Sequence, residues 1–207
     1  MRDDLLRQYD IRNAAAFRRT KEKWGGLSNM AAGFPLVVNN VPIQSSEVLY
    51  QACRFPEHPD VQYSIITKRN PMEAKRVARA NDNLTRRDWE WTRVLIMKWC
   101  LRVKLAQNWE SFSSELFATE DMPIVEVSSK DGFWGAIPES GSLCTGANVL
   151  GRLLMELREQ LKSNSPERFW VVPSLKVNDF KLLGHPIQSI YKPEQEVVIE
   201  PKQQRMF

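Results

Sequence analysis

The chain has 207 residues, 43% of them hydrophobic and 26% charged, and a formal net charge of +4, which suits one compact domain with an appendage or, second, two small domains. No run of about 18 apolar residues occurs, so a membrane-spanning helix is excluded, and neither a dinucleotide glycine fingerprint nor a phosphate-binding P-loop is present. The small positive balance leans toward an anionic ligand such as a nucleotide, sugar phosphate or nucleic acid, without excluding a merely basic surface.

Residues 1–23 are charged, with Leu5, Leu6, Ile11 and an Ala14–Phe17 patch as apolar content, and no regular element is predicted there. Met1-Arg-Asp-Asp4 lacks the apolar run of a secretory signal. The three cysteines, Cys53, Cys100 and Cys144, are odd in number and widely spaced. Reduced thiols in a cytoplasmic protein are expected, with no metal site among them or with His58 and His185. Trp24-Gly-Gly-Leu-Ser-Asn-Met30 reads as a loop, because paired glycines resist regular structure. Leu36–Ile43 reads as a hairpin: two apolar arms flank Asn39-Asn40, which tolerate positive φ, and Pro42 confines the second arm to an edge.

Ser45–Phe55 is predicted as a helix with a serine cap and Glu47 in its first turn, ended by Pro56 and Pro59. A second helix starts at Asn70, with Pro71 in the first position and Glu73 closing a capping box, and runs to about Ala80. A longer helix covers roughly 86–108, with Val94, Met97, Leu101 and Leu105 as its apolar stripe, widened by Trp91, Leu95 and Trp99. A short helix is predicted over 111–119. Pro123–Ser128 alternates as a strand, with Val125 and Val127 on one face and Ile124 and Glu126 on the other. Next comes the turn Asp131-Gly-Phe-Trp-Gly135, in which an acid sits three residues before an indole and glycines at 132 and 135 allow a tight bend. Pro138–Gly146 reads as a loose loop. Asn148–Leu161 is a core helix through Leu150, Leu153, Leu154, Leu157 and Leu161. After the break at Ser163–Pro166 the character turns to β: Phe169–Val172, about His185–Tyr191, and Glu196–Ile199, with Pro201–Phe207 a loose tail.

Glu47, Glu126, Asp131 and Asn148 stand out as polar positions. Two carboxylates facing one pocket suit acid–base work, because burial and mutual repulsion separate their proton affinities. Each has a plainer reading. Glu47 answers the helix dipole, Glu126 lies on the solvent face of a half-buried strand, Asn148 caps the last helix, and Asn29 forms an Asx-turn. Asp131 and Trp134 together suit gripping a ring-shaped ligand, or are a hairpin with a buried indole.

The ordered pieces Trp24-Gly-Gly-Leu-Ser-Asn-Met30, Ser46-Glu-Val-Leu-Tyr-Gln-Ala-Cys-Arg-Phe55, Pro71-Met-Glu-Ala-Lys75, Met97…Lys104, Leu116-Phe-Ala-Thr119, Ile124-Val-Glu126, Asp131-Gly-Phe-Trp-Gly135 and Gly146–Arg158 resemble the NADAR family of YbiA-like N-glycosidases, over about Phe17 to Leu161. The resemblance implies an α+β, mainly α, domain over 1–165 with small hairpins; the strand-like pattern beyond it reads as a β-rich extension over 166–207, outside the family core. It implies cleavage of N-glycosidic bonds in one of two substrate classes. One is phosphoribosylamino-pyrimidine intermediates of riboflavin synthesis; the other is ADP-ribose on a base, including guanine in nucleic acid.

By the same resemblance Glu47, Asp131 and Trp134 are the catalytic set. Trp24, Ser28, Asn29, Gln51, Lys104, Glu126, Asn148 and Gly151 contact substrate, Arg152 is a weaker candidate, and no metal or cofactor is required. Glu47 stabilises the ribosyl cation or activates water, Asp131 holds the ribose hydroxyls or assists the leaving base, and Trp134 stacks, with Phe133 the buried aromatic beside it. A lysine amine is the alternative nucleophile, with Lys21, Lys23 and Lys130 near the motifs. A binding module for ADP-ribose or nucleic acid is the alternative function. The chain departs from the family pattern at Val48, where a histidine is usual, at Arg18, where an aromatic is common, and at Met30, where a phenylalanine is usual. The extension offers Phe169, Trp170, Lys176 and Lys181 as a basic, aromatic surface, or simply covers the core or joins two copies.

Overall fold

In the computed structural model, which describes residues 5–193, the charged N-terminal stretch forms two strands that were not expected. Strand β1 (Arg7–Asp10) and strand β2 (Ala15–Phe17) owe their form to distant partners and not to local propensity. Leu36–Ile43 is the expected hairpin, β3 (Leu36–Val38) and β4 (Val41–Ile43), joined by Asn39 and Asn40 at φ 51 and 62. Positive φ at both central residues gives the turn the twist that two antiparallel strands need.

Helix α1 (Ser46–Ala52) is capped by Ser45, whose Oγ accepts from the Val48 N–H at 3.4 Å. Pro59 does not only end the preceding segment. It occupies the first position of an additional helix, α2 (Pro59–Ile66), which buries Val61, Ile65 and Ile66. Helix α3 (Pro71–Ala80) is capped by Asn70, which accepts from Met72 N–H at 2.9 Å. Glu73 turns to Arg76 at 3.8 Å instead of completing the box.

Helix α4 (Trp89–Gln107) is the centre of the fold, touched by α1, β3 and later elements. Because packing surrounds it, its buried arc is wider than one stripe and takes in Thr92, Ile96, Cys100 and Val103 as well as Met97, Leu101 and Leu105. The open line is Trp91, Leu95, Lys98 and Arg102, at helical spacings of four, three and four. Trp91 is 88% exposed and Leu95 44%, so neither widens the buried stripe as expected. Helix α5 (Trp109–Phe117) follows and buries Phe112 and Leu116.

Strand β5 (Ile124–Glu126) pairs in parallel with β2, setting Phe17 opposite Glu126. The supposedly loose 138–146 loop is a hairpin of β6 (Ile137–Pro138) and β7 (Leu143–Gly146), extended by β1 into a three-stranded sheet of order β1-β7-β6. Gly141 at φ 64 makes its turn. Helix α6 (Val149–Ser163) buries the five predicted leucines.

Beyond it lie a 3-10 turn at Pro166–Phe169 and four two-residue strands, β8 (Val171–Val172), β9 (Lys181–Leu182), β10 (His185–Pro186) and β11 (Ile190–Tyr191). The strand expected at Glu196–Ile199 and the tail at Pro201–Phe207 lie outside the described residues. Phe169, Val172, Phe180, Leu182, Ile187 and Ile190 join the same hydrophobic core as α4 and α6. Polar ties fix this segment. Trp99 Nε1 donates to Pro173 O at 2.9 Å. The buried Gln62 amide donates to Ala52 O and Lys181 O and accepts from Leu183 N–H. The whole is α+β and mainly α.

Candidate active site

One open cavity of about 780 Å³ collects residues from the Ser28–Met30 loop, α1, α3, the start of α4, the end of β5 and the turn after it. Glu47 is carried there by the first turn of α1. Its N–H, which has no partner within the helix, donates to Asn29 O at 3.0 Å. Its carboxylate is 5% exposed at the residue level, accepts from Gln51 Nε2 at 2.9 Å and faces Lys75 Nζ at 3.8 Å. Gln51 in turn accepts from Arg54, whose guanidinium reaches Asp82 and Thr85 Oγ1. Asn29 donates through Nδ2 to Met97 Sδ at 2.8 Å. Its Oδ1 is buried on the cavity wall with no hydrogen-bond partner among the described residues.

Glu126, a substrate-contact candidate, had as its plainer reading the solvent face of its strand. Both faces of β5 are covered, since Ile124 and Val125 are each fully buried, so Glu126 points into the cavity. Burial first, and the Glu47 carboxylate second, push its carboxyl from the ordinary 4.5 up to about 7, with Lys75 acting against them and Asp131 adding to them. Glu126 is therefore half protonated near neutral pH.

Asp131 lines the same cavity, but one of its oxygens is engaged. Oδ1 accepts from the N–H groups of Phe133 (3.1 Å) and Trp134 (2.9 Å), closing the turn. Oδ2 is the oxygen left for a ligand. Trp134 meets Tyr50 edge-on at 5.6 Å and Phe133 at 5.1 Å, and Tyr50 leans on Trp89 at 5.0 Å. Phe133 and Trp134 are both half-buried, so the expected division into one buried and one exposed ring does not hold. Arg93 covers Phe133 at 3.8 Å. Of the two turn glycines only Gly135 is forced: a Cβ there would lie 2.4 Å from Glu126 O, whereas at Gly132 it would meet only the Ile137 side chain at 3.4 Å.

Ser28, Asn29, Glu47, Gln51, Glu126, Asp131 and Trp134 thus share one cavity. Five other substrate-contact candidates do not line it. Asn148 is fully buried, with Nδ2 donating to Ile124 O at 2.8 Å and Oδ1 accepting from Glu126 N–H at 3.1 Å. It stands at the N-cap position of α6, as its plainer reading had it, but its side chain makes no capping bond; the N–H groups of Val149 and Leu150 are met by the carbonyls of Phe133 and Trp134. Gly151 is a close-packing glycine, because a Cβ would lie 2.1 Å from Ile124 O. Lys104 is 1% exposed and donates to Gly26 O and Ser28 O behind the loop. Trp24 packs on the core with Lys23 over its ring at 4.6 Å. Arg152 is exposed on α6. Lys21, Lys23 and Lys130 stand outside the cavity, which holds Lys75 instead.

The basic wall was missed: Arg18, Arg54, Lys75, Arg76, Arg79 and Arg93, against the acids Glu47, Glu73, Glu126 and Asp131. Lys75 and Arg79 lie four apart on α3, one face of a helix, but charges at that spacing read equally well as a solvated surface. Among the described residues no group of three or more His, Cys, Asp or Glu is placed to hold a metal ion, and no helix is long and apolar enough to cross a membrane.

The sequence profile of the NADAR domain matches residues 16–162. The chain belongs to the NADAR family. It is 36% identical over 147 residues to the N-glycosidase YbiA of Escherichia coli K12, covering 70% of this chain and 86% of YbiA. The solved NMR structure of Escherichia coli YbiA superposes with a TM-score of 0.60 at 33% identity, covering 72% of this chain and 84% of that one. A riboflavin biosynthesis protein of Vibrio vulnificus is 33% identical over 165 residues, 76% of this chain, which spans only 42% of that protein's length. A chloroplastic riboflavin biosynthesis protein of maize, PYRR, is 33% identical over 129 residues, 58% of this chain and 20% of its own.

Within this NADAR fold the three sequence departures have different weights. Val48 is wholly buried in the core and outside the cavity, so that position is a packing site here and its change leaves the wall intact. Arg18 and Met30 both line the cavity, and they alter the surface a substrate meets.

Proposed function

We propose that this NADAR protein is an N-glycosidase that cleaves the bond between a ribosyl carbon and a base. The observation that carries the reading is the pairing of Glu47 and Glu126 in one cavity, one ion-paired with Lys75 and the other drawn up to about 7. Such a pair divides the work. Glu47 faces the ribosyl carbon, where its carboxylate stabilises oxocarbenium character or takes a proton from the attacking water. Glu126, in its protonated form, donates to the departing base. Asp131 Oδ2 and the free Asn29 Oδ1 accept from ribose hydroxyls or an amino group. Trp134, edged by Tyr50, flanks the base. Arg54, Arg76 and Arg79 take the phosphate.

The names of the relatives support a phosphoribosylamino-pyrimidine as one substrate class. The room in the cavity also accommodates the second class, ADP-ribose on a base, with modified nucleic acid as its bulkier form. A second chemical route rests on Lys75, 3.8 Å from Glu47. With its proton passed to Glu47, the amine attacks the anomeric carbon and the base leaves with a proton from Glu126; the ring C–O bond then opens, the ring oxygen taking the proton that the lysine nitrogen sheds, to give a Schiff base, which water hydrolyses to release the sugar and restore the lysine.

The test supplies each substrate class separately and follows released ribose 5-phosphate or ADP-ribose. Release is expected from at least one class, and Glu47→Gln should lower it by about a hundredfold or more. Undiminished release in that variant would remove Glu47 from the chemistry. Borohydride trapping of a sugar adduct on Lys75 would favour the amine route. Tight ADP-ribose binding with no release from either class would favour a binding module instead.

A further inference from the structure

Lys104 carries a charge into the core for which the proposed chemistry has no use. It is 1% exposed, lies on α4 and packs between two phenyl rings, with Nζ 4.2 Å from the Phe34 centroid and 4.0 Å from that of Phe112. Nζ donates to Gly26 O at 2.6 Å and Ser28 O at 3.1 Å. An unpaired ammonium in such a place is unfavourable for the fold. Burial pulls its proton affinity down to about 7, and only the Glu115 carboxylate on α5 acts in the other direction. A methionine would fill the same slot without that cost.

What the ammonium holds is the Gly25–Asn29 loop. Leu27 anchors the middle of that loop in the core and a short 3-10 turn spans Gly25–Leu27, while the carbonyls of Gly26 and Ser28, on either side of Leu27, turn to Nζ. Its far end does two things at the cavity. Ser28 and Asn29 form part of the wall, and Asn29 O accepts from the Glu47 N–H at 3.0 Å. The chain of contacts is continuous: Lys104 Nζ to Ser28 O, Ser28 to Asn29, Asn29 O to the first turn of the helix that aims Glu47.

We propose that Lys104 is a positioning residue, whose buried amino group pins the Gly25–Asn29 loop so that Asn29 seats Glu47 in the cavity. The proposal rests on the glycosidase reading only for its effect on rate. The seating itself is a property of the fold and can be measured without any substrate.

The experiment compares wild-type protein, Lys104→Met and Lys104→Arg by thermal melting, by amide hydrogen exchange at Glu47, and by release from whichever substrate the wild type cleaves. Lys104→Met should melt at or above the wild-type temperature, yet exchange the Glu47 amide at least tenfold faster and lose at least tenfold in kcat with a smaller change in KM. Lys104→Arg, which keeps charge and donors in a space too small for it, should melt lower and retain more of the amide protection than Lys104→Met. A role in packing alone predicts the opposite order, with activity following stability. Unchanged exchange at Glu47 in Lys104→Met, or failure of that variant to fold, overturns the proposal. If the wild type cleaves neither substrate class, the glycosidase reading fails, while the exchange measurement still decides on Lys104.

Discussion

Replacing Glu126 by glutamine should make the protein more stable at pH 8 and much less active. The carboxyl stands at about 7 in the fold against an ordinary 4.5, with burial the first cause. At about 1.4 kcal/mol for each tenfold in proton affinity, holding it ionised costs the fold on the order of 3 kcal/mol. The sign follows from which state binds the proton more tightly. The folded state does, so the stability linked to this group is complete below pH 4.5 and is lost as pH rises to about 7. Glutamine has no proton to lose. Glu126→Gln should therefore match the wild type near pH 4.5 and exceed it at pH 8 by up to roughly 3 kcal/mol, about 6–12 °C in Tm for a domain of this size. Melting curves at the two pH values measure the difference. The same proton sets the rate. Wild-type cleavage should fall tenfold per pH unit above about 7, whereas the variant should be slower by roughly 10²–10⁴ and lack that limb. Equal stability gains at both pH values would refute the burial of the carboxyl. An alkaline limb that survives in Glu126→Gln would show that another group donates the proton.

Asn148→Ala should cost about 2–5 kcal/mol in denaturant melts, because Ile124 O and Glu126 N–H lose their buried partner and alanine must hold φ 46. Cleavage should fall as well, although Asn148 does not line the cavity; a stable variant with full activity would show that β5 holds Glu126 without it. Gly151→Ala should destabilise by about 3 kcal/mol, since the new methyl meets backbone 2.1 Å away and α6 must shift as a unit. Wild-type stability in that variant would mean that α6 and β5 are not closely packed there.

Much of the fold was legible in the sequence wherever a local signal decides the structure. Asn39-Asn40 between apolar arms, Ser45 before Glu47 and the leucine spacing of α6 each needed only near neighbours. β1 and β2 were not legible, because their partners β7 and β5 lie more than a hundred residues away and contribute what their own composition lacks. α2 was hidden by Pro59, which stops one element and starts the next with the same fixed φ. At the site, the motif turns disclosed the acids and Trp134. The cations of α3 were not disclosed, because exposed helix charges look alike until a cavity is seen beside them.

Lys104, Asn148 and Gly151 show a different limit. Their motifs marked them as important, and a polar or glycine residue in a motif is naturally read as touching the ligand. The fold uses them on the other side of the backbone. Asn29 O, whose loop Lys104 holds, meets the N–H of Glu47. Asn148 meets the N–H of Glu126. The first N–H groups of α6 meet the carbonyls of Phe133 and Trp134, and Asp131 Oδ1 binds the N–H groups of that same pair. Glu47, Glu126 and Asp131 are thus carried on backbone that another part of the chain fixes. The distance between Glu47 and Glu126, on which any division of proton work depends, is set in part by Lys104 and Asn148, which do not line the cavity, and substitutions at those two positions should alter rates while leaving the cavity wall chemically unchanged.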